Sequence, residues 1–279
     1  MKYAQLNQLL AGAGVEDPSF EAGLLLSRFA GVPRHELLFR RGEDFSSPEL
    51  EEAVRRRLTR EPLQYILGSW SFRGIDFLLN EDTLIPRPDT ELLVELAVRE
   101  LPPAALFVDV GTGSGAIAVS VLAERPDTRS LAVDVCENAL TAAAENAARA
   151  GVAGRFTPLC ADALSPDFAA RLAACGRPDA ILSNPPYIPT GDLAGLAPEL
   201  SYEPRRALDG GSDGLVFYRA ITASAAALLP PGGFLLYEVG IGEAQAVAEI
   251  GALHGFTARV SPDLAGIDRA VLLRKVTNP

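Results

Sequence analysis

Hydrophobic residues in the N-terminal part of the chain recur at steps of three and four, which is the spacing of amphipathic helices. The clearest groups are Leu6, Leu9 and Leu10; Phe20, Leu24, Leu25 and Phe29; and Leu50, Val54 and Leu58. Pro18, Pro33 and Pro48 stand near the starts of such segments, where a helix tolerates proline. The pattern predicts a small all-helical domain over residues 1–70.

After residue 70 the period of the hydrophobic pattern changes to two. In SFRGIDFLLN, residues 71–80, large apolar residues alternate with other residues on both sides of Arg73-Gly74. A period of two around a glycine-containing turn is typical of a β-hairpin. We therefore expect a hairpin linker over residues 71–83.

Residues 84–279 alternate short apolar runs with helical patterns. The expected strands are Leu106–Val110, Ser130–Asp134, Phe156–Leu159, Ala180–Ser183, Phe234–Val239, Thr257–Ser261 and Ala270–Arg274. The expected helices are Thr90–Leu101, Ala116–Glu124, Asn138–Ala150, Leu215–Leu229 and Glu243–Leu253. This alternation predicts an α/β fold with a mostly parallel sheet that binds ligands at the carboxyl ends of its strands.

Charge and cysteine content narrow the classes of function. The chain has 25 basic and 36 acidic side chains, a net charge of −11, which argues against binding nucleic acid mainly through phosphates. Cys136, Cys160 and Cys175 form no CxxC pair, so we expect neither a metal site nor disulfides. The N-terminus lacks a signal-peptide pattern and no run reaches the length of a membrane span. A cytoplasmic, monomeric protein without membrane contact is expected.

The basic run Arg55-Arg56-Arg57, followed by Arg60, allows two interpretations. It is either a solvated helix face or a docking surface for an acidic or RNA-associated partner.

A glycine-rich turn is the first candidate ligand site. In FVDVGTGSGAIAV, residues 107–119, an apolar strand carrying Asp109 is followed by a GxGxG turn and a helix. Glycines let a ligand approach the backbone, and a helix start offers free N–H groups. Asp134 and Asp162 end the next strands, where a carboxylate can accept ribose hydroxyls. Each acid could also be a helix N-cap, and a nicotinamide-dependent enzyme, which needs GxGxxG, is the rival from another class.

Together these residues resemble the class I S-adenosylmethionine-dependent methyltransferases, which have a Rossmann-like, seven-stranded sheet. The resemblance implies that Asp134 holds the ribose of S-adenosyl-L-methionine and that Asp162 and Ala163 border its adenine. It also assigns the turn itself to the cofactor, as Gly111, Thr112, Gly113, Ser114 and Gly115. An aromatic residue is common after the third acid in related proteins, and Ala163 departs from that pattern.

Asn184-Pro185-Pro186-Tyr187 ends the fourth expected strand of the sheet and faces the same crevice. The lone pair of a planar amino group is delocalised, so the group must be held in line and polarised to attack a sulfonium methyl. The Asn184 side-chain oxygen can accept one N–H and the Pro185 carbonyl the other, while the prolines stiffen the backbone. Tyr187 can cover the planar group. We expect all four residues to serve catalysis and substrate binding, with Asn184 also next to the cofactor.

Further segments decide between substrates, since amino-methylating DNA enzymes use a similar tetrapeptide on adenine. Those segments are Pro62 to Phe77, Leu84 to Glu95, Tyr202 to Leu215 and Asp263 to Lys275. In order and content they resemble the protein-glutamine N5-methyltransferases of peptide chain release factors. The resemblance implies class 1 release factors as partners, the glutamine of their Gly-Gly-Gln motif as substrate, S-adenosyl-L-homocysteine as product, and substrate recognition by the helical domain. A ribosomal-protein glutamine methyltransferase and, behind it, a DNA adenine methyltransferase are the alternatives.

Overall fold

The computed structural model of the chain describes residues 1–37, 39–40 and 42–276. The end of the expected methyltransferase range, 277–279, lies outside the described residues. The chain divides into a helical unit, Met1–Ser69 with Leu196–Tyr202, and an α/β unit, Trp70–Gly195 with Glu203–Pro279. The sequence did not predict that Leu196–Tyr202 groups with the N-terminal helices.

The helical unit starts its helices where local chemistry favours it. Its helices are α1 (Tyr3–Gly12), α2 (Pro18–Phe29), α3 (Pro48–Leu58) and α4 (Leu63–Leu67), with short 3-10 helices at Arg34–Glu36 and Pro198–Tyr202. Asp17 accepts a hydrogen bond from the Phe20 N–H at 3.1 Å, and Ser47 caps α3 in the same way. Fully buried leucines hold the helices together: Leu6, Leu10, Leu25 and Leu26. The predicted N-terminal helical region is confirmed.

The basic run of α3 is neutralised inside this unit. Arg57 is 3 % exposed and donates to Glu21, with Nε 2.5 Å from Oε2. Its Nη2 also lies 3.2 Å from Oε1 of Glu199, and Nε of Arg60 lies 2.7 Å from the same oxygen. Arg56 pairs with Glu61. A buried guanidinium needs such partners, so Arg57 does not belong to a solvated face, whereas the Arg55 side chain is 68 % exposed and pairs with Glu52.

After α4 the chain forms a hairpin of β1 (Ser69–Phe72) and β2 (Ile75–Leu78), which belongs to the α/β unit from Trp70 onward. Arg73 and Gly74 both have positive φ, 48° and 75°, as a two-residue hairpin turn of type I′ requires. Phe72 is buried and meets Phe77 edge-on at 6.1 Å between ring centroids. Phe72 is therefore a core residue of the hairpin.

Seven strands form the central sheet: β3 (Leu106–Val110), β4 (Arg129–Asp134), β5 (Phe156–Cys160), β6 (Ala180–Ser183), β7 (Phe234–Glu238), β8 (Phe256–Pro262) and β9 (Asp268–Lys275). The helices are α5 (Thr90–Glu100), α6 (Ala116–Glu124), α7 (Glu137–Arg149), α8 (Phe168–Cys175), α9 (Val216–Leu228) and α10 (Ala244–Leu253). Helix α8 is an addition to the predicted set. Short 3-10 helices lie at Ala153–Arg155, Thr190–Gly195 and Arg205–Ala207.

The strand order is β5-β4-β3-β6-β7-β9-β8. Pairs from β5 through β7 are parallel, and β9 runs antiparallel to both β7 and β8. The central strands β6 and β7 are buried along their whole length, as expected for a sheet covered on both faces. The predicted seven-stranded, mostly parallel α/β fold is confirmed. Within the described ranges, no helix is long and apolar enough to cross a membrane.

Candidate functional site

The sheet reverses its order between two central strands. From β3 the chain builds outward through β4 and β5, and from β6 it builds the other way through β7. In an open parallel sheet, loops on the two sides of such a point diverge and leave a crevice at the carboxyl ends of the strands. The glycine turn follows β3 and the Asn-Pro-Pro-Tyr segment follows β6, so the topology brings the two candidate motifs together.

The glycine turn lies against the end of β4. The N–H groups of Gly111 and Thr112 both donate to the Val133 carbonyl, at 2.8 and 2.9 Å. Gly113 donates its N–H to Oδ2 of Asp134 at 2.9 Å. Gly111 and Gly113 have φ of 74° and 54°, a left-handed backbone that glycine adopts without strain.

Two backbone N–H groups orient the Asp134 carboxylate. Gly113 donates to Oδ2, and Cys136 donates to Oδ1 at 3.0 Å. The side chain is half-buried and lines the crevice. Each carboxylate oxygen accepts more than one hydrogen bond, so Asp134 keeps acceptor capacity for two hydroxyl groups of a ligand.

An open cavity of about 220 Å³ occupies the crevice. The predicted site residues that line it are Gly111, Gly113, Asp134, Asp162, Ala163, Asn184, Pro185 and Pro186. The lining residues that sequence reasoning did not assign to the site are Asp82, Leu84, Val110, Val133, Val135, Ala161, Ser183, Arg206, Ala207, Phe217 and Ile221. Most of these are apolar or small, and their sequence pattern is that of ordinary core residues.

Thr112, Ser114 and Gly115 do not line the cavity but support the turn. The Thr112 hydroxyl donates to Oδ2 of Asp109 at 2.7 Å, and the Ser114 carbonyl accepts from Nδ2 of Asn146 at 2.9 Å. Gly115 packs on α7, since an added Cβ would lie 3.2 Å from the Ala143 Cβ. Their predicted direct contact with a cofactor stays a prediction.

Asp109 is a fully buried acid beneath the turn. Its Oδ2 accepts from Thr112 and from the Ala118 N–H at 3.1 Å, whereas Oδ1 has no hydrogen-bond partner within the described part of the chain. Burial raises the pKa of Asp109 to about 7, against the opposing effect of the Thr112 and Ala118 hydrogen bonds. Asp109 thus stabilises the turn from inside.

Asn184 is held from behind by a buried chain of hydrogen bonds. Its Nδ2 lies 3.3 Å from Oγ1 of Thr90, the first residue of α5. The Thr90 hydroxyl lies 2.6 Å from Oε2 of Glu238, the last residue of β7. Thr90 and Glu238 are 4 % and 3 % exposed. Sequence reasoning placed Thr90 only at the start of an expected helix and missed Glu238.

Tyr187 does not line the cavity and packs, partly buried, against the hydrophobic core. Two glycines allow close packing against Tyr187. A Cβ added to Gly210 would lie 2.7 Å from the Tyr187 Cα, and a Cβ added to Gly240 would lie 3.1 Å from the Tyr187 ring. Burial raises the pKa of Tyr187 to about 12, so the phenol stays neutral at physiological pH. Its role as a cover for the substrate stays a prediction.

Charged residues fasten the segments around the cavity. Asp82 accepts from Nδ2 of Asn138 at 2.8 Å and pairs with Arg206. Asn138 first and Arg206 second lower the pKa of Asp82 against the effect of burial. Glu203 pairs with Arg87 and accepts from the Ile85 N–H at 3.1 Å. The segment before α5 is therefore tied to the residues that follow the Asn-Pro-Pro-Tyr loop.

Comparison with known proteins adds to this geometry. A family model described as the PrmC N-terminal domain matches residues 3–68, and a methyltransferase small domain model matches residues 88–226. The chain is 43% identical over 267 residues to the release factor glutamine methyltransferase of Geobacter sulfurreducens, covering 94% of this chain and 91% of that protein. Identity is 42% over 270 residues to the protein of the same name from Moorella thermoacetica, covering 94% and 93%.

Among solved structures, a methyltransferase from Pyrococcus furiosus matches with a TM-score of 0.53 and 17% identity. The match covers 74% of this chain and 92% of that one. At this identity the likeness shows the shared fold.

Proposed function

The chain belongs to the release factor glutamine methyltransferase family, and we propose that it methylates the N5 amide nitrogen of the glutamine in the Gly-Gly-Gln motif of class 1 peptide chain release factors. The methyl donor is S-adenosyl-L-methionine and the product is S-adenosyl-L-homocysteine. One observation carries the proposal: Asn184 and Pro185 line the same cavity as the glycine turn and Asp134.

The cavity fits an adenosine-type cofactor. Gly111 lines it, and an added Cβ on Gly111 meets no atom within 4 Å, so open space lies against this backbone. Asp134 would hold the two ribose hydroxyls, Asp162 and Ala163 would border the adenine, and Phe217 adds an apolar wall. S-adenosyl-L-methionine supplies an electrophilic methyl group when bound.

The protein's own residues would hold the nucleophile. A glutamine amide has two N–H groups, and Asn184 and Pro185 offer one acceptor each. No backbone N–H of the described residues donates to the Pro185 carbonyl, so this acceptor is not already engaged by the backbone. Acceptors fixed before the reaction stabilise the positive charge that develops on the nitrogen as it is methylated. The nitrogen proton can leave late to water, so no strong general base is needed.

We extend the proposal to the helical unit, Met1–Ser69 with Leu196–Tyr202, as the part that recognises the release factor. The enzyme would work as a monomer in the cytoplasm without stable nucleic-acid binding. The net charge of −11 supports the choice of a protein over DNA as substrate.

A labelling assay tests the proposal. The enzyme is incubated with methyl-labelled S-adenosyl-L-methionine and, in separate reactions, a class 1 release factor, the same factor with its Gly-Gly-Gln glutamine changed to alanine, a ribosomal protein fraction, and DNA. We expect label on the unaltered release factor alone. Label on DNA, or equal label on the altered factor, would contradict the proposal.

A further inference from the structure

The Asn184 side chain has two chemically different ends. Its Nδ2 only donates and its Oδ1 only accepts, and a substrate NH₂ group can use only the accepting end. Asn184 lies half-buried at the cavity with Nδ2 3.3 Å from Oγ1 of Thr90. The Asn184 side chain also donates a weaker hydrogen bond to the Glu238 carboxylate. The direction of the amide is therefore decided by whether Thr90 and Glu238 present lone pairs or a proton to it.

Thr90 presents a lone pair because its single proton is engaged elsewhere. Its hydroxyl lies 2.6 Å from Oε2 of Glu238, and an ionised carboxylate can only accept. Thr90 and Glu238 are both buried, so water does not offer them other partners. Hydrogen bonds consequently run in one direction, from Asn184 to Thr90 to Glu238.

Resting on the proposed methylation of a glutamine amide, we propose that Thr90 and Glu238 are positioning residues whose hydrogen-bond chain turns Oδ1 of Asn184 toward the substrate nitrogen. Neither residue lines the cavity, so both act through Asn184. An ionised Glu238 fixes the direction of the chain, because a carboxylate can only accept. A protonated Glu238 can donate to Thr90, and Thr90 is then free to donate toward Asn184 and favour the reversed amide.

Glu238 changes its ionisation state near neutral pH. Burial raises the pKa of Glu238 to about 7, while the hydrogen bond from Thr90 opposes the rise. Arg269 also opposes the rise in the pKa of Glu238. Its effect is limited because its Nε lies 3.4 Å from Asp89 and 3.3 Å from Asp263, so its charge is shared between these two carboxylates. The titratable and charged groups near Glu238 are Asp89 before α5, Arg269 on β9, Tyr187 after β6, Tyr218 on α9, and Glu243, which Tyr218 contacts.

Variants of Thr90 test the chain directly. Thr90→Val keeps the shape and removes the hydroxyl, and Thr90→Ser restores it. Thr222→Val is the matched control, because the Thr222 hydroxyl is also buried but bonds to Tyr237 at 3.0 Å, away from Asn184. We expect Thr90→Val to lower kcat on the order of 10- to 100-fold through a misplaced acceptor. The kcat values of Thr90→Ser and Thr222→Val should stay within about threefold of the parent value. The Kd for S-adenosyl-L-methionine should stay within about threefold of the parent value in all three variants.

The pH profile separates positioning from a merely structural role. With the parent enzyme, kcat on the release factor should rise with pH as Glu238 ionises around pH 7. Glu238→Gln keeps an acceptor for Thr90 without the titration, so its kcat should be flat across that range. This variant also decides the matter if Thr90→Val does not fold.

Three results would overturn the inference. They are parent-like kcat in a folded Thr90→Val enzyme, an unchanged acid limb in Glu238→Gln, and an equal kcat loss in Thr222→Val. A parent enzyme that binds S-adenosyl-L-methionine but labels no release factor contradicts the proposed function itself, and the inference with it. A parent that labels the factor isolates the test of Thr90 and Glu238.

Discussion

Two strands on either side of β6 carry buried acids near their carboxyl ends, and the two acids are used differently. Asp109 on β3 and Glu238 on β7 are both buried, and burial raises the pKa of each to about 7. Asp109 accepts from Thr112 and Ala118, which belong to its own turn and the helix after it. Glu238 accepts from Thr90, whose hydroxyl contacts Asn184. Asp109 and Glu238 are both buried acids, so neither burial nor residue type distinguishes what they do. Their hydrogen-bond partners make the distinction.

The strongest effect on catalysis is expected from removing the Asn184 side chain, which the hydrogen-bond chain of Glu238 contacts. Asn184→Ala removes one positioned acceptor and should lower kcat about 100- to 1,000-fold, on the order of 3 kcal/mol at the transition state. Binding of S-adenosyl-L-methionine should change only a fewfold, because Asp134 and the glycine turn are untouched. Steady-state kinetics on the release factor and calorimetric cofactor titration measure the two quantities.

Asp109→Asn is the control from the β3 side. Asparagine keeps one acceptor oxygen for Thr112 and Ala118, so the methyl-transfer rate should fall far less than in Asn184→Ala. A rate loss in Asp109→Asn as large as that of Asn184→Ala would mean that both strand ends serve the reaction directly.

A second prediction uses the common property of the two acids, their raised pKa. Protons bind Asp109 and Glu238 more tightly in the folded chain, since their ordinary pKa values are 3.8 and 4.5. The stabilisation is fully present below those values and is lost as pH rises through about 7. The free energy of unfolding should therefore fall between about pH 5 and 8, by at most about 1.4 kcal/mol per pH unit for each acid.

Urea unfolding of the cofactor-free protein across this range measures the slope. Asp109→Asn and Glu238→Gln should each flatten it, and the double variant should flatten it most. The carboxyls with lowered pKa, such as Asp82 and Asp209, titrate below this window and serve as unchanged background. A slope that both single variants leave intact would contradict the assignment of the raised pKa values.

Local patterns were enough to predict the fold. The strand predicted at Leu106–Val110 agrees with β3 at both ends, because its residues, LFVDV, are apolar except for Asp109 and lead directly into the glycine turn. Helix α8, Phe168–Cys175, was missed since eight residues carry little periodicity. The alternation of such apolar runs with helices predicted a mostly parallel sheet, and the resemblance to class I methyltransferases implied that it has seven strands, as found.

The residues that line the cavity were predictable only where residues adjacent in the sequence form a recognisable pattern. An acid after an apolar strand pointed to Asp134, and a glycine turn needs only a few adjacent positions. Glu238 escaped because the predicted strand ran to Val239 and made the acid look like an interior residue. Its partner Thr90 is 148 positions away, and no local pattern reports a contact at that separation.

The last prediction concerns the glycine turn after β3 and has the smallest magnitude. It tests how far the packing of Gly115 against α7 contributes to stability. Gly115 and Gly111 both have positive φ, 83° and 74°, so alanine costs roughly 1–2 kcal/mol of backbone strain at either position. An added Cβ on Gly115 also lies 3.2 Å from the Ala143 Cβ and 3.3 Å from its Cα, whereas on Gly111 it meets nothing within 4 Å. Gly115→Ala should therefore lose about 1 kcal/mol more than Gly111→Ala in urea unfolding. Equal losses would show that α7 yields to the extra methyl group, and the turn above Asp109 would then owe its shape to hydrogen bonds alone.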